Sequence, residues 1–179
     1  MNGYETSVRD GYRTIDQDKE NAIAELNRTQ VEIDLFELHL DYADLVWRTT
    51  PNGPSIQEML EHIVEAEQSL WQVLLPHCLH GSQQKIVREW YRIRQDQLGS
   101  LDSDQRIFRQ LSMVRRMTLI LLEDLDETAW LKQVERPTGV TTIGIRVRQF
   151  VDETRVYQSA IKRLLEERLA LTSRGVVWN

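Results

Sequence analysis

One histidine, His62, stands among four glutamates in the segment GPSIQEMLEHIVEAEQSLW, residues 53 to 71. Two of the glutamates follow it closely, Glu65 and Glu67, and the spacing of three places His62 and Glu65 on one face of a helix. Imidazole and carboxylate groups bind zinc and other divalent metal ions, which lower the pKa of a bound water or thiol. The segment therefore offers two interpretations: a metal ligand at His62, or a polar residue on an ordinary helix.

A second group of ligand-type residues lies in LLPHCLHG, which contains His77, Cys78 and His80. It follows the end of a predicted helix, where histidines can hydrogen-bond the last free carbonyl groups. No further ligand cluster completes a four-coordinate zinc site with these residues. We therefore predict that this group has a structural capping role.

The composition indicates one globular domain that covers residues 1 to 179, with 41% apolar and 28% charged residues. A formal net charge of −6 argues against nucleic acid and anionic membrane surfaces as partners. The chain has a single cysteine and neither a bilayer-spanning apolar run nor the apolar core of a signal peptide. We expect a cytoplasmic protein.

The basic and aromatic segment KIVREWYRIR is the one stretch that could suggest contact with nucleic acid. It is short and belongs to an acidic protein. We interpret it as part of a helix whose basic face is solvated and whose aromatic residues pack on the domain.

Apolar residues recur at helical spacing along most of the chain, and Gly and Pro clusters separate the helices. Long helices are predicted at residues 18 to about 48, 55 to about 75, 103 to about 125 and 141 to about 171. A shorter helix is expected between the second and third, from 82 to about 98. No segment alternates with period two, so the prediction is an all-α four-helix bundle, connected up-down-down-up or similarly.

The first predicted helix carries two apolar faces. The second face consists of Val31, Leu35, Leu38, Tyr42 and Leu45, alternately four and three residues apart. Such a helix needs two packing partners. Either a second copy of the protein covers this face, or the helix is sandwiched inside a single bundle.

Glu67 lies near the centre of the apolar face of the second helix, between Ile63 and Leu70. A buried carboxylate must be paired or neutralised. Arg115, at the edge of the apolar face of the third helix, is the nearest candidate. We predict a structural Glu67–Arg115 pair and prefer it to a catalytic acid at Glu67.

The order of these signals resembles the DinB/YfiT-like family from about Leu35 to Leu165. The segment TTPNGPSIQEMLEHIVEAE is similar to the family's turn, helix cap and H-L-x-D-x-E pattern, with His62, Glu65 and Glu67 at matching positions. RRMTLILLEDLDETAW resembles the end of the family's third helix, and PTGVTTIG the entry to its fourth. The resemblance implies a DinB-like four-helix bundle, here with a long first helix and an extra helix between helices 2 and 3.

Enzymes of that family hold a divalent metal, often zinc or nickel, with one histidine on helix 2 and two spaced H-x-x-x-H on helix 4. The resemblance places these positions at His62, Glu153 and Tyr157, so two histidines are replaced. Imidazole and carboxylate are good ligands, whereas a neutral tyrosine is a poor one. Either these three residues bind zinc or nickel, or the metal site has been lost.

Two functions remain open. The first is a cytoplasmic, non-catalytic DinB-like protein that binds a small molecule or a protein partner in the cleft between helices 2 and 4. The second is a metal-dependent thiol transferase or hydrolase with an altered His/Glu/Tyr site. We favour the first, because two expected ligands are missing. The resemblance also implies a homodimer, for which the second apolar face of helix 1 is the candidate contact.

Overall fold

A computed structural model describes residues 15–77, 85, 88, 89, 91, 92, 98, 99, 101–136 and 139–173. Its continuous segments contain helices and one small sheet: α1 (Ile15–His39), α2 (Tyr42–Leu45), α3 (Ile56–Leu74), α4 (Ser103–Asp124), α5 (Glu127–Leu131), β1 (Gln133–Arg136), β2 (Gly139–Thr142) and α6 (Ile143–Ser173). A 3-10 turn, Leu75–His77, follows α3. Within these ranges, no helix combines the length and the apolarity that crossing a membrane requires.

The four long helices form a ring in which α3 packs between α4 and α6, and α1 packs against the other sides of the same two helices. Contacting side chains show that α1 runs parallel to α6 and antiparallel to α4, while α3 runs parallel to α4. The parallel helices α1 and α6 are joined by Asp18–Arg148 and Glu32–Lys162. The antiparallel helices α1 and α4 are joined by Lys19–Glu123 and Gln30–Ser112. The parallel helices α3 and α4 are joined by Glu67–Arg115 and Trp71–Thr118. The connection is therefore up-down-down-up, and the predicted helical bundle is confirmed.

The first helix is broken where the sequence predicted continuity to residue 48. Asp41 has an extended backbone, and its side chain accepts a hydrogen bond from the Asp44 N–H at 2.8 Å. The Asp44 carboxylate accepts in turn from the Asp41 N–H at 3.0 Å. This reciprocal capping box begins the short helix α2, because it satisfies N–H groups that a continuous helix would have bonded internally.

The expectation of no strands was also wrong, because β1 and β2 pair as an antiparallel hairpin with Gln133 opposite Thr142. Strands of four residues are too short to show a clear alternation in sequence. Gly139 has φ = 125°, a conformation that favours glycine, at the start of β2. The hairpin leads directly into α6, whose first turn is capped by the Thr142 hydroxyl, an acceptor from the Ile145 N–H at 3.2 Å.

Gly144 allows α5 to pack closely on the start of α6. A Cβ atom at this position would lie 2.3 Å from the Trp130 Nε1, well inside van der Waals contact. Trp130 is buried, so its ring has little room to move away. The absence of a side chain at Gly144 therefore sets how closely α5 packs on α6.

The extra helix predicted between α3 and α4 falls mostly outside the described residues. Within residues 82 to 98, the structure describes Lys85, Arg88, Glu89, Tyr91, Arg92 and Leu98, all in helical conformation. These positions agree with the prediction.

An ion pair between Glu67 and Arg115 lies in the centre of the bundle, as predicted. The Arg115 Nε donates to the Glu67 carboxylate at 2.8 Å, and both side chains are almost fully buried. The Arg115 Nη1 donates to the Leu26 carbonyl at 2.9 Å and to the Thr29 hydroxyl at 2.5 Å. The guanidinium also lies 5.8 Å from the centre of the Phe150 ring. One side chain of α4 thus contacts α1, α3 and α6.

A row of ion pairs closes the interface between α1 and α6. The pairs recur every seven residues on both helices, as expected for two parallel helices with matched faces. They are Asp18–Arg148 at 2.8 Å, Glu25–Arg155 at 2.7 Å and Glu32–Lys162 at 2.9 Å.

The second apolar face of the first helix is exposed in this fold. Val31, Leu35, Leu38 and Tyr42 are 60%, 49%, 75% and 57% exposed. Leu45, which the sequence placed on the same face, is instead fully buried. The helix break at Asp41 changes the phase of the residues that follow it, and this turns Leu45 inwards. The sandwiched-helix alternative is therefore wrong for the four residues from Val31 to Tyr42.

Replacing one member of the buried ion pair should destabilise the fold strongly. We expect Glu67→Leu and Arg115→Met each to lower the free energy of unfolding by about 3–5 kcal/mol, because each leaves an uncompensated buried charge. The double variant should lose less than the sum of the single variants. Urea denaturation measures all three. Glu65→Leu, at an exposed position of α3, is the matched control, and an equal loss in Glu67→Leu and Glu65→Leu would refute the structural pair.

The α1–α6 ion pairs should make stability depend on acid pH. The hydrogen bond from Arg155 holds the pKa of the Glu25 carboxyl below its usual value of 4.5. The resulting stabilisation is present above pH 4.5 and is lost as the pH falls through the lowered pKa. Denaturation curves at pH 6, 4 and 3 should therefore show that the stability gap between the parent protein and Glu25→Gln narrows with acidification. Glu20→Gln, at an exposed position on α1, serves as control; a gap that stays constant would contradict the role of Glu25.

Candidate functional site

His62 lies on the outer side of α3. The capping box of Ser55 and Glu58 starts this helix and sets its phase, so that Ile63 and Glu67 turn inwards while His62 turns outwards. The His62 Nδ1 lies 3.4 Å from the Glu65 carboxylate one turn later, and both side chains are more than half exposed. His62 is therefore a surface residue at the edge of the α3–α6 interface.

Tyr157 of α6 lies directly against His62. The two rings stack with their centres 5.9 Å apart and their planes at 25°. The tyrosine is partly buried, and it packs on the edge of the apolar core. The fold thus brings together two of the three residues that the resemblance identified.

Glu153 stands one turn before Tyr157 on α6, and its nearest charged partner is Arg146. The Arg146 Nη1 lies 3.5 Å from the Glu153 carboxylate; the guanidinium is almost buried and the carboxylate is half exposed. Sequence reasoning missed Arg146. The signal was its spacing of seven residues before Glu153, which places both on one face of a long helix.

An open depression with a volume of about 590 Å³ runs along this part of α6. Its lining residues are Gln149, Asp152, Glu153, Val156 and Tyr157. Because Tyr157 also stacks on His62, the depression adjoins the edge of α3. We refer to the depression together with His62 and Glu65 as the α3–α6 cleft.

The ligand chemistry of the cleft differs from a three-histidine metal site. His62 and Glu153 are good metal ligands, whereas Tyr157 is a poor one. The Glu153 carboxylate already forms an ion pair with Arg146. In the described part of the chain, no three His, Cys, Asp or Glu side chains are placed to share an ion. These residues fit a resident zinc or nickel ion poorly, and the metal site at His62, Glu153 and Tyr157 stays a prediction.

The group around His77 can be described only in part. His77 ends the 3-10 turn after α3, and burial, together with the nearby charge of Lys132, lowers the pKa of its imidazole. Cys78 and His80 lie outside the described residues. The capping role of this group stays a prediction.

The basic and aromatic segment packs on the bundle where it is described. Tyr91 meets the Trp71 ring edge-on with centres 5.1 Å apart, and its hydroxyl accepts a hydrogen bond from the Gln68 side chain. Trp90 and Arg94 lie outside the described residues. The exposed basic residues are Lys85, Arg88 and Arg92. This arrangement agrees with aromatic residues that pack on the domain and a solvated basic face.

Comparison with protein families gives one result for this chain. The model of the DinB superfamily matches residues 25–156, a range that includes the last part of α1, all of α3 and α4, and the half of α6 that carries Glu153. The comparisons with curated proteins and with solved structures each found no match. Because the family model covers well over half of the length of this chain, the chain belongs to the DinB superfamily.

Proposed function

We propose that this chain is a non-catalytic binding protein of the DinB superfamily, which takes up a small molecule in the α3–α6 cleft. In this proposal His62, Glu153 and Tyr157 contact the ligand and do not hold a catalytic metal. The observation that carries it is the stacking of His62 on Tyr157 beside a glutamate that is paired with Arg146. These contacts give the three side chains partners within the protein.

The pairing of Glu153 argues against strong metal binding by this set. A carboxylate with a guanidinium 3.5 Å away already has much of its negative charge compensated. Arg146 is almost buried, so removing its counter-charge by turning Glu153 towards a metal would leave a costly unpaired cation. The neutral phenol of Tyr157 adds little, because it is a poor metal ligand.

The cleft has the chemistry to bind a small organic cation. Val156 and the ring of Tyr157 offer an apolar wall, and aromatic faces attract positive charge. The carboxylates of Asp152 and Glu153 line the depression on α6, and the Glu65 carboxylate lies beside His62 on α3; all three are about half exposed or more. A ligand with one ammonium group and one apolar or aromatic portion can contact both kinds of surface.

Metal analysis tests the non-catalytic part of the proposal. We expect zinc and nickel to be substoichiometric in protein purified without chelator, and equally so in His62→Ala, because the residues of the cleft are already paired. Inductively coupled plasma mass spectrometry measures both samples. One equivalent of metal per chain that disappears in His62→Ala would overturn the proposal and favour a metal-dependent thiol transferase or hydrolase.

An NMR titration with benzylamine tests the ligand class. We expect amide shifts to cluster at residues 149 to 157 and around His62, and benzoate, with the opposite charge, to bind more weakly. Tyr157→Ala should weaken benzylamine binding about fivefold through loss of the aromatic face. Glu153→Gln should weaken it about two- to fivefold, as expected for an exposed ion pair.

The matched control is Glu166→Gln, which makes the same charge change at an exposed position of α6, about 20 Å further along the helix. It should leave the affinity unchanged. Amide shifts that lie away from the cleft, or equal binding of benzylamine and benzoate, would refute a cation site at this position.

A further inference from the structure

A chain of buried polar side chains crosses the apolar core, and each of the four long helices contributes one member. The members are Thr29 on α1, Glu67 on α3, Arg115 on α4 and Gln158 on α6, each at most 3% exposed. The Gln158 side chain donates a hydrogen bond to the Thr29 carbonyl at 2.9 Å. Arg115 donates from Nη1 to the Thr29 hydroxyl and from Nε to the Glu67 carboxylate. These contacts join all four helices through polar groups that bulk solvent does not reach.

Two atoms of this polar chain have no hydrogen-bond partner among the described residues. They are Nη2 of Arg115 and Oε2 of Glu67, and both are buried. Arginine can bind a carboxylate through two parallel hydrogen bonds, from two of its nitrogens to the two oxygens. Here the Nε bond to Oε1 is made at 2.8 Å. The second donor and the second acceptor of the same ion pair are left unused.

Such unused atoms are exceptional in a protein interior. A buried polar group that lacks a hydrogen bond loses its hydration without compensation, and the loss is larger for charged groups than for neutral ones. Buried groups that find no protein partner are commonly bonded to an internal water molecule, of which globular proteins hold about one for every 27 residues. A donor and an acceptor left on one ion pair therefore indicate a site for a bridging ligand.

We propose that the core holds a binding site for one water molecule, which accepts a hydrogen bond from the Arg115 Nη2 and donates one to the Glu67 Oε2. Nη2 and Nε are bonded to one carbon atom, and Oε2 and Oε1 to another. The Nε–Oε1 contact of 2.8 Å therefore keeps the two unused atoms close to each other, so that one molecule beside the ion pair can reach both. The site is independent of the ligand proposed for the α3–α6 cleft.

The mixed polarity and the surroundings of the site favour water over other ligands. An anion would accept from Arg115 but be repelled by Glu67, and a cation would have the opposite conflict. Water is neutral and is both a donor and an acceptor. Leu70 and Leu111 lie one turn from the ion pair, Phe150 lies against it, and all three are fully buried. The close packing of such a core favours a ligand as small as water.

A high-resolution crystal structure of the intact protein tests this site. We expect electron density for one water molecule at about 2.7–3.2 Å from both the Arg115 Nη2 and the Glu67 Oε2. A direct hydrogen bond between these two atoms overturns the proposal, and so does the absence of density beside the ion pair. Density that contacts only one of the two atoms overturns it as well.

Magnetic relaxation dispersion of water oxygen-17 gives a second test in solution, because it counts water molecules that stay bound for longer than the protein takes to tumble. Combining Glu67→Leu with Arg115→Met removes both polar groups at similar volume and leaves no unpaired charge. The folded double variant should retain one long-lived water molecule fewer than the intact protein. An unchanged count would refute the bridging water.

The matched control combines Trp71→Phe with Thr118→Val on the same two helices. It removes another buried polar pair, in which the Trp71 Nε1 donates to the Thr118 hydroxyl at 2.7 Å. Because that pair is already complete, the count should equal that of the intact protein, and circular dichroism checks that both double variants are folded. An equal loss in the control would show that the lost molecule is not bound by the ion pair. The crystal structure of the intact protein decides the question independently of either variant.

Discussion

The buried ion pair of Glu67 and Arg115 is the interaction around which this bundle is organised. A charged side chain in an apolar core needs partners, and Arg115 finds them on three other helices, while its Nη2 and the Glu67 Oε2 are buried without a hydrogen bond. This requirement fixes the axial position of α4 against both α1 and α3. A shift of one helical turn would separate the Arg115 guanidinium from its partners. The ion pair therefore selects one packing of the helices, whereas apolar contacts alone would define that packing less well.

The same constraint determines which surfaces are available for function. With Glu67 turned into the core, the opposite side of α3 carries His62 at the α3–α6 interface, where it meets Tyr157. Because Arg115 hydrogen-bonds Leu26 and Thr29 on the inner side of α1, the second apolar face, on the opposite side of that helix, is exposed to solvent. The cleft and this exposed face are thus consequences of one internal arrangement, although they lie on different parts of the molecule.

The sequence predicted well what depends on periodicity and on local caps. The positions of the long helices, the cap at Ser55 and the inward position of Glu67 all follow from spacing along one helix. The break at Asp41 and the β-hairpin were missed, because both depend on short-range hydrogen bonds that compete with a helical pattern. In the site, the resemblance identified His62 and Tyr157 as neighbours, but the role of Arg146 as partner of Glu153 was not recognised.

The sequence by itself determined the helical class, the DinB-like order of its signals and the presence of Glu153 and Tyr157 where the resemblance implies histidine ligands. These are properties of residue type and spacing. Only the tertiary structure decided that Glu153 faces Arg146, that the His62 and Tyr157 rings stack, and that Leu45 is buried while Leu38 is exposed. Such facts depend on how far one helix is rotated and shifted against another, and periodicity within a single helix carries no information about that geometry.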